Sequence, residues 1–590
     1  MDSPNFSRRK FLAITGVGAA GVALVPASRI LSSVGSPESP AVRWSDPRSW
    51  GGTTPGTGDV AVVARDVVLD TDATVAGIVV KEGAKLIFNR NRNVTLSSRG
   101  NVVVKGRLVM RPRNSRIKHR LVFRDVREGA FVGGGNDVLS SDVGLWVMGK
   151  GRLNIRGAKK KAWTRVVGDV ASGTMTITLK TDPAGWRRGD SLVIVPTGSG
   201  SDPDHYLRFD EAQVKAIAGR RITLSAPVSF AHPAVQGENR TLSAEVLNLT
   251  RNVMIQGTEN GRAHIFIRSR RPQSIRNCAI RYMGPRKDGE KILGRWVVHF
   301  HHSGNGSRGS VVKGVVVRDA GSHAFVPHVS HGITFRDCIA YDNFETGFWW
   351  DPEVSDATNG ILWDHCVSAL IKGEDGSVTR HRLSGFLLRS GNNNECRNCV
   401  AVGVQGSDKS AGFAWPQPTS GVWTFKNGVA HNNKILGVFA WENDEDPHTI
   451  NGLTAYRNGA AAVEHGAYVN AFRYKGLDLI ENGFNLHARS KPNRQDGIAL
   501  TLSNSTVKNA AVGLLITGSV LKGPAPAIIE DWSFKGCPVP VEVLHKGKNP
   551  GEYNFNRCTV DGAPLNKSHF TFTEVVPESI FRINGQQIYP

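Results

Sequence analysis

Three histidines, a carboxylate and a guanidinium fall at corresponding places in a repeating strand pattern of this 590-residue chain. They are His299 and His301 in VVHFHHSG, His328 in FVPHVS, Asp351 after GFWW and Arg389 after GFLL. An imidazole exchanges protons near neutral pH, a carboxylate can act as acid, base or nucleophile, and a guanidinium grips another carboxylate through two parallel N–H groups. Trp349 adds an indole that can stack on a sugar ring, and Glu442 adds a second acid to the column. Together these types suit chemistry at a glycosidic bond, or proton abstraction beside a uronic carboxylate. Glycoside hydrolysis needs two carboxyl groups, close together for retention and further apart for inversion. Asp351 and Glu442 stand three repeats apart, roughly 14 Å at strand spacing, too far for that partnership, which leaves Glu353 as the nearest acid to Asp351.

The elements that bring these residues together are short apolar strands. From about residue 275 the chain cycles through a strand, an Asn, a turn and a second strand, as in RDCIAYDNFETGFWW, NGLTAYRNGAAAVEH and KGLDLIENGFNLH. With Cys338 as marker, Gly314, Cys366, Cys399, Gly428, Gly452 and Gly476 take the equivalent place, and most steps run between 24 and 33 residues. A repeat of that length with two or three strands predicts a coil that pairs with the coils above and below it, a right-handed parallel β-helix. In the strand after the bend, Phe325, Phe348, Phe386, Phe413, Phe439 and Val463 form one inward column, and Pro327, Trp350, Leu388, Trp415 and Trp441 form a second. Alternation along a strand then sends Val326, Trp349, Leu387, Ala414 and Ala440 outward, and likewise His328, Asp351, Arg389, Pro416 and Glu442. His299 and His301 flank the inward Phe300. The expectation is a contiguous outward stripe from His299 to Arg389.

The same register assigns the cysteines and asparagines. Cys278, Cys338, Cys366 and Cys399 recur at the marker and read as stacked core thiols; Cys396-x-x-Cys399 has no second pair to make a metal or redox site. Asn343, Asn458, Asn482 and Asn509 read as a structural ladder at the bend. No haem, flavin, nucleotide or zinc signature is visible, so no cofactor and no metal ligand is assigned. Calcium is the one ion for which a segment offers oxygens, the acidic run 442–446.

The first residues read SRRKFL, then a mostly small and apolar run to Val25, then Pro26-Ala27. Arg8 and Arg9 therefore mark a twin-arginine export signal over 1–27, and the expected location is extracellular or cell-wall associated. No later stretch is apolar enough to span a membrane. A formal net charge of +22 draws the protein to acidic polymers. Its basic residues are scattered and no nucleic-acid module is present, so the expected partner is an acidic polysaccharide, met by a monomer.

The segment WSDPRSWGGTTPGTGDVAVVARDVVLDTDATVAGIVV carries Trp44, Asp46, Trp50, Pro55, Gly58, Asp59, Leu69 and Asp70 in an order that resembles the G-eight domain. The likeness continues through AGWRRGDSLVIVPT, with Trp186, Gly189 and Asp190, and through Glu245, Arg251, VVHFHHSG and SGNNNECRNCVAVG. Over roughly residues 43–420 the chain resembles the animal family that pairs a G-eight domain with a parallel β-helix, which includes the cell migration-inducing, hyaluronan-binding protein and the cell-surface hyaluronidase. The resemblance implies an all-β chain with an N-terminal β-rich G-eight domain capping the solenoid. It also implies binding, and depolymerisation, of hyaluronan or a similar acidic polysaccharide. It places His232 where the family has a His after its second β-segment, assigns the His-x-His element to His299 and His301, and assigns the acidic strand end to Asp351. The expected layout is a linker over 28–42, the G-eight domain over 43–165, a connecting region over 166–260, the β-helix over 261–535 and a C-terminal cap over 536–590. Three readings stay open: hyaluronidase-like hydrolysis, a lyase on uronic-acid polymers, and a non-catalytic binder.

Overall fold

The structure is a computed structural model that describes residues 29–35, 40–349, 357–373, 383–407, 409–415, 421–440, 448–466, 472–486, 500–518, 526–545 and 550–589. Among these, regular structure is β-strand apart from four short 3-10 helices. The strands wind into the expected right-handed parallel β-helix, with three faces per coil. Face 1 runs from Arg29–Ser32 through Val298–Gly304 and Phe325–Ser330, crosses the bridges Phe325–Phe348 and Phe348–Phe386, and continues to Phe570–Glu574. Face 2 runs from Val42–Arg43 through Thr334–Arg336 to Ile580–Ile583, and face 3 from Ala73–Val75 through Ile339–Asn343 to Thr559–Val560. Each coil passes from face 2 to face 3 to face 1. A single apolar core fills the interior from Trp44 to Phe581.

The G-eight region is therefore no cap. Val67–Leu69, Ala73–Val75 and Gly77–Val80 already occupy faces 2, 3 and 1 of one coil, and each pairs in parallel with the coils beside it. The solenoid begins within residues 42–80, well ahead of residue 261, because the alternating valines there bury one side exactly as later strands do. At the far end the coils continue beyond residue 536. The closing element is the hairpin of Ile580–Ile583 and Gln586–Tyr589, which pairs antiparallel and covers the last edge.

The region after Arg156 leaves the solenoid at the corner between faces 2 and 3. It forms a six-stranded antiparallel sheet of Trp163–Arg165, Glu245–Asn248, Ser191–Ile194, Asp210–Ala218, Arg221–Leu224 and Thr176–Thr178 before the chain rejoins face 3 at Val253–Gln256. This insert has its own core, including Val166, Trp186, Leu192 and Val246. Its other side, with Trp163, Val193 and Leu247, packs on the outward residues Val316, Ile339, Val367 and Val400 of face 3. Inside that contact, Glu245 pairs with Arg165 at 2.7 Å and with His431 at 3.2 Å.

The corners explain two slips in the register read from sequence. From Asn277 to Gly476, each turn from face 2 to face 3 uses one residue with positive φ, and the column is Asn277, Gly314, Asp337, His365, Asn398, Asn427, Gly452 and Gly476. Gly314, Gly452 and Gly476 are thus one residue ahead of Cys338, whose true equivalents are Val315, Leu453 and Leu477. Glycine and the short polar side chains of Asn and Asp accept that conformation most readily. Similarly, Asn509 has φ 54° and sits at the bend itself, whereas the amide ladder holds Asn433, Asn458 and Asn482, with Asn433 Nδ2 donating to Asn458 Oδ1 at 2.9 Å. On face 1, Phe413 pairs with Val438, so Phe439 belongs to the outward column. All seven cysteines are free and buried. Burial pushes the Cys278 thiol up to about 12 and those of Cys338, Cys366 and Cys399 well above their ordinary value, as inert core thiols require.

Candidate functional site

The strand register brings three of the predicted residues together. His299 pairs with Val326 and His301 with His328, so the side chains of His299, His301 and His328 leave face 1 on its outer side within two neighbouring coils. His301 Nδ1 lies 3.3 Å from His299 Nε2 and 3.1 Å from His328 Nδ1. Their nearest ring nitrogens all lie within 4.8 Å of one another. His302, exposed and with φ 45°, puts its ring centroid 4.5 Å from that of His301 and 4.7 Å from that of His328. Burial is the largest cause holding the imidazoles neutral. It lowers His301 to about 2 and His328 to about 3, with the neighbouring histidines adding to the effect, and it takes His299 well below its ordinary value.

The outward stripe is not an open surface, which corrects the reading of its other members. Two segments ahead of face 1, within 127–142 and 284–297, fold over the histidines. The Gly294 carbonyl accepts from His299 Nδ1 at 2.9 Å, and Asn136 Oδ1 meets His301 Nε2 at 2.9 Å. Asp142 fastens the two segments by pairing with Arg295 at 2.7 Å, both side chains fully buried, while its carboxylate also accepts the backbone N–H groups of Val132 and Gly133. Trp349 is consequently 3% exposed and stacks on His323 at 3.9 Å, so it cannot offer an indole face to a sugar. Arg389 is 1% exposed, and its carbonyl accepts the Trp423 indole N–H at 2.6 Å; it cannot serve as a surface clamp. His232 lies in the insert, fully buried between Asp210 at 2.9 Å and the Val195 carbonyl at 2.8 Å, where it holds strands together. Asp351, Glu442, Arg8 and Arg9 lie outside the described residues.

A second feature escaped the sequence reading. Between the insert and the corner of faces 2 and 3 lies a groove of about 1220 Å³. Its floor is the column of positive-φ corner residues Asn277, Gly314, Asp337, His365, Asn398 and Asn427, six successive coils spanning roughly 24 Å at strand spacing. Each floor residue donates its backbone N–H to the coil above, as Asp337 does to the Asp364 carbonyl at 3.0 Å and His365 to the Arg397 carbonyl at 3.0 Å. The walls carry Arg156, Lys159, Lys161, Lys180, Arg240 and Arg276, none of which forms an ion pair among the described residues. Asp337 is the one acidic side chain in the lining. Trp163 stacks on His365 at 4.1 Å and donates its indole N–H to the His365 carbonyl, which fixes the insert against the floor. The signal available in sequence was the AKKK run at 158–161, but only the fold brings Arg276 and Lys313 from other coils beside it.

Comparison with known proteins bears out the resemblance drawn from the motifs. Residues 49–167 match the G8 domain, a span that covers early coils and the first insert strand. The chain is similar to fibrocystin of Canis lupus familiaris, 27% identical over 515 residues, which is 81% of this chain and 12% of that protein. It is also similar to cell migration-inducing and hyaluronan-binding protein of Mus musculus, 23% identical over 297 residues, 45% of this chain and 20% of that protein. The chain thus spans no more than a fifth of the length of these curated relatives. Among solved structures, the catalytic domain of a GH87 alpha-1,3-glucanase in complex with nigerose aligns with TM-score 0.31 and 11% identity, covering 70% of this chain and 91% of that one. The A-module of an Azotobacter vinelandii mannuronan C-5 epimerase aligns with TM-score 0.25 and 11% identity, covering 86% and 91%.

Proposed function

We propose that this protein binds an acidic polysaccharide of hyaluronan type along the groove between the insert and the corner of faces 2 and 3. The observation that carries the reading is the groove's charge: six cationic side chains that form no ion pair among the described residues face one carboxylate over a floor several sugar rings long. A polyanion laid there gains from every cation at once, and the low-dielectric walls on either side strengthen the field. The murine relative's description as hyaluronan-binding agrees with this substrate class. Co-sedimentation of the full chain with hyaluronan, chondroitin, pectate and alginate tests it. Lys159→Glu with Lys180→Glu and Arg240→Glu should weaken binding at least tenfold, and binding by the unaltered protein should fall steeply with salt, since exposed charges are screened beyond about 10 Å at 0.1 M. Equal binding by the triple variant would sink the proposal.

Cleavage of a polysaccharide at a separate site on face 1 is the second reading, and the observation that favours it is the convergence of three imidazoles there, one of them held by the Gly294 carbonyl. Chain size and ultraviolet absorbance separate the possibilities: shortening with new unsaturated absorbance means elimination, shortening without it means hydrolysis, and retained size means a binder. Export through the twin-arginine route belongs to the same proposal. Periplasmic or extracellular recovery of the protein that disappears in Arg8→Lys with Arg9→Lys is the result expected.

A further inference from the structure

Around the histidine cluster the hydrogen bonds fix which ring nitrogens carry protons. The Gly294 carbonyl can only accept, so Nδ1 of His299 is the N–H and its Nε2 presents a lone pair. The Asn136 amide oxygen faces His301 Nε2, so that nitrogen carries the proton and Nδ1 presents a lone pair. These two lone pairs point at each other across 3.3 Å, and His328 Nδ1 adds a third nitrogen 3.1 Å from His301 Nδ1. His328 is 6% exposed, and its Nε2 has no hydrogen-bond partner among the described residues. When the His328 proton sits on its unpartnered Nε2, three imidazole lone pairs converge, an arrangement that a cation among them stabilises; with the proton on Nδ1, His328 donates to His301 instead. Two imidazole nitrogens bound to one tetrahedral metal at ~2.0–2.1 Å stand about 3.3 Å apart. The backbone carbonyl on His299 and the amide on His301 are also the outer partners that metal-ligating histidines customarily have, orienting the ring and fixing its tautomer.

We infer that His299, His301 and His328 form a site for one divalent transition metal of the zinc class, with its remaining position open toward exposed His302. An all-imidazole donor set suits Zn, Co, Ni, Cu or Fe and is a poor match for calcium or magnesium, which take oxygen ligands. An open position on such a metal takes water or a carboxylate oxygen, which is the chemistry a uronate-bearing chain would meet there. The inference rests on the geometry of this cluster and holds whether or not a polysaccharide binds in the groove. No metal motif announced the site, because the third ligand arrives from the next coil, 27 residues along the chain.

The experiment uses the full chain, stripped with chelator, dialysed and titrated with Co(II). One Co(II) per chain with a visible ligand-field spectrum is expected, and X-ray absorption should show a nitrogen shell with imidazole back-scattering. His301→Ala and His328→Gln should abolish the saturable spectrum, Asn136→Ala should weaken it roughly 10–100-fold with stoichiometry still one, and His569→Ala should leave it unchanged. Absence of stoichiometric Co(II) in the unaltered protein overturns the inference, as does an oxygen-only shell, a reading that needs no variant to fold. A spectrum insensitive to all three cluster variants also overturns it. Polysaccharide co-sedimentation on the same stripped protein reports separately on the groove.

Discussion

At the scale of single residues, Glu245 is the group whose charge state most directly governs how the insert is held. It is fully buried, and burial alone would raise its carboxyl, but Arg165 and His431 outweigh that and hold it at about 2. A folded-state value below the unfolded one means stability that is present above pH 4.5 and is lost as pH falls through about 2. Glu245→Gln should therefore destabilise the protein by about 3 kcal/mol at neutral pH, since breaking a buried pair leaves its partner uncompensated. Denaturant melts should show the gap narrowing from pH 4.5 downward; a constant gap would contradict the assignment. The histidine column was legible at this scale, because period-two alternation and a coil-length repeat suffice to stack His301 on His328. Asn136 was not. It reaches His301 from 165 residues away, on a segment with no repeat to place it.

At the scale of elements, the two cover segments decide how exposed the cluster is. Asp142 and Arg295 are buried together, and Arg295 also lies over the ring of Trp146 at 4.8 Å. Asp142→Ala leaves a buried guanidinium without its carboxylate, a loss of about 3–5 kcal/mol for such a pair. Hydrogen exchange should accelerate within 127–142 and 284–297, and His299 should become reactive toward an imidazole-modifying reagent. Unchanged exchange there would mean the segments are held by something other than this pair. The sequence pattern says which side of a strand points away from the solenoid axis, and it did so correctly for Trp349. It does not say whether another segment lies on top, which is why an indole expected to be open is stacked on His323. The corner column was misjudged by one residue for a related reason. Gly and Asn both suit a bend with positive φ, so their recurrence marks the corner without distinguishing it from the strand's first residue.

At the scale of the whole molecule, the described residues form one solenoid from Val42 to Ile583 with one antiparallel insert laid along face 3. The repeat made the solenoid legible from about residue 275 onward. Its earlier coils lack the positive-φ Gly, Asn or Asp that marks the later corners between faces 2 and 3, and the insert interrupts the pattern at one corner. That interruption is what creates the basic groove, because strands of the insert stand beside a column of corner backbone that would otherwise face solvent. The central claim is that an acidic polysaccharide lies in this groove. Hydrogen exchange of the full chain, with and without a saturating oligosaccharide of whichever tested polymer it binds, measures it most directly. Protection concentrated in 156–165, 178–185 and 274–277 is the result predicted; protection confined to other segments, with these unchanged, would contradict it.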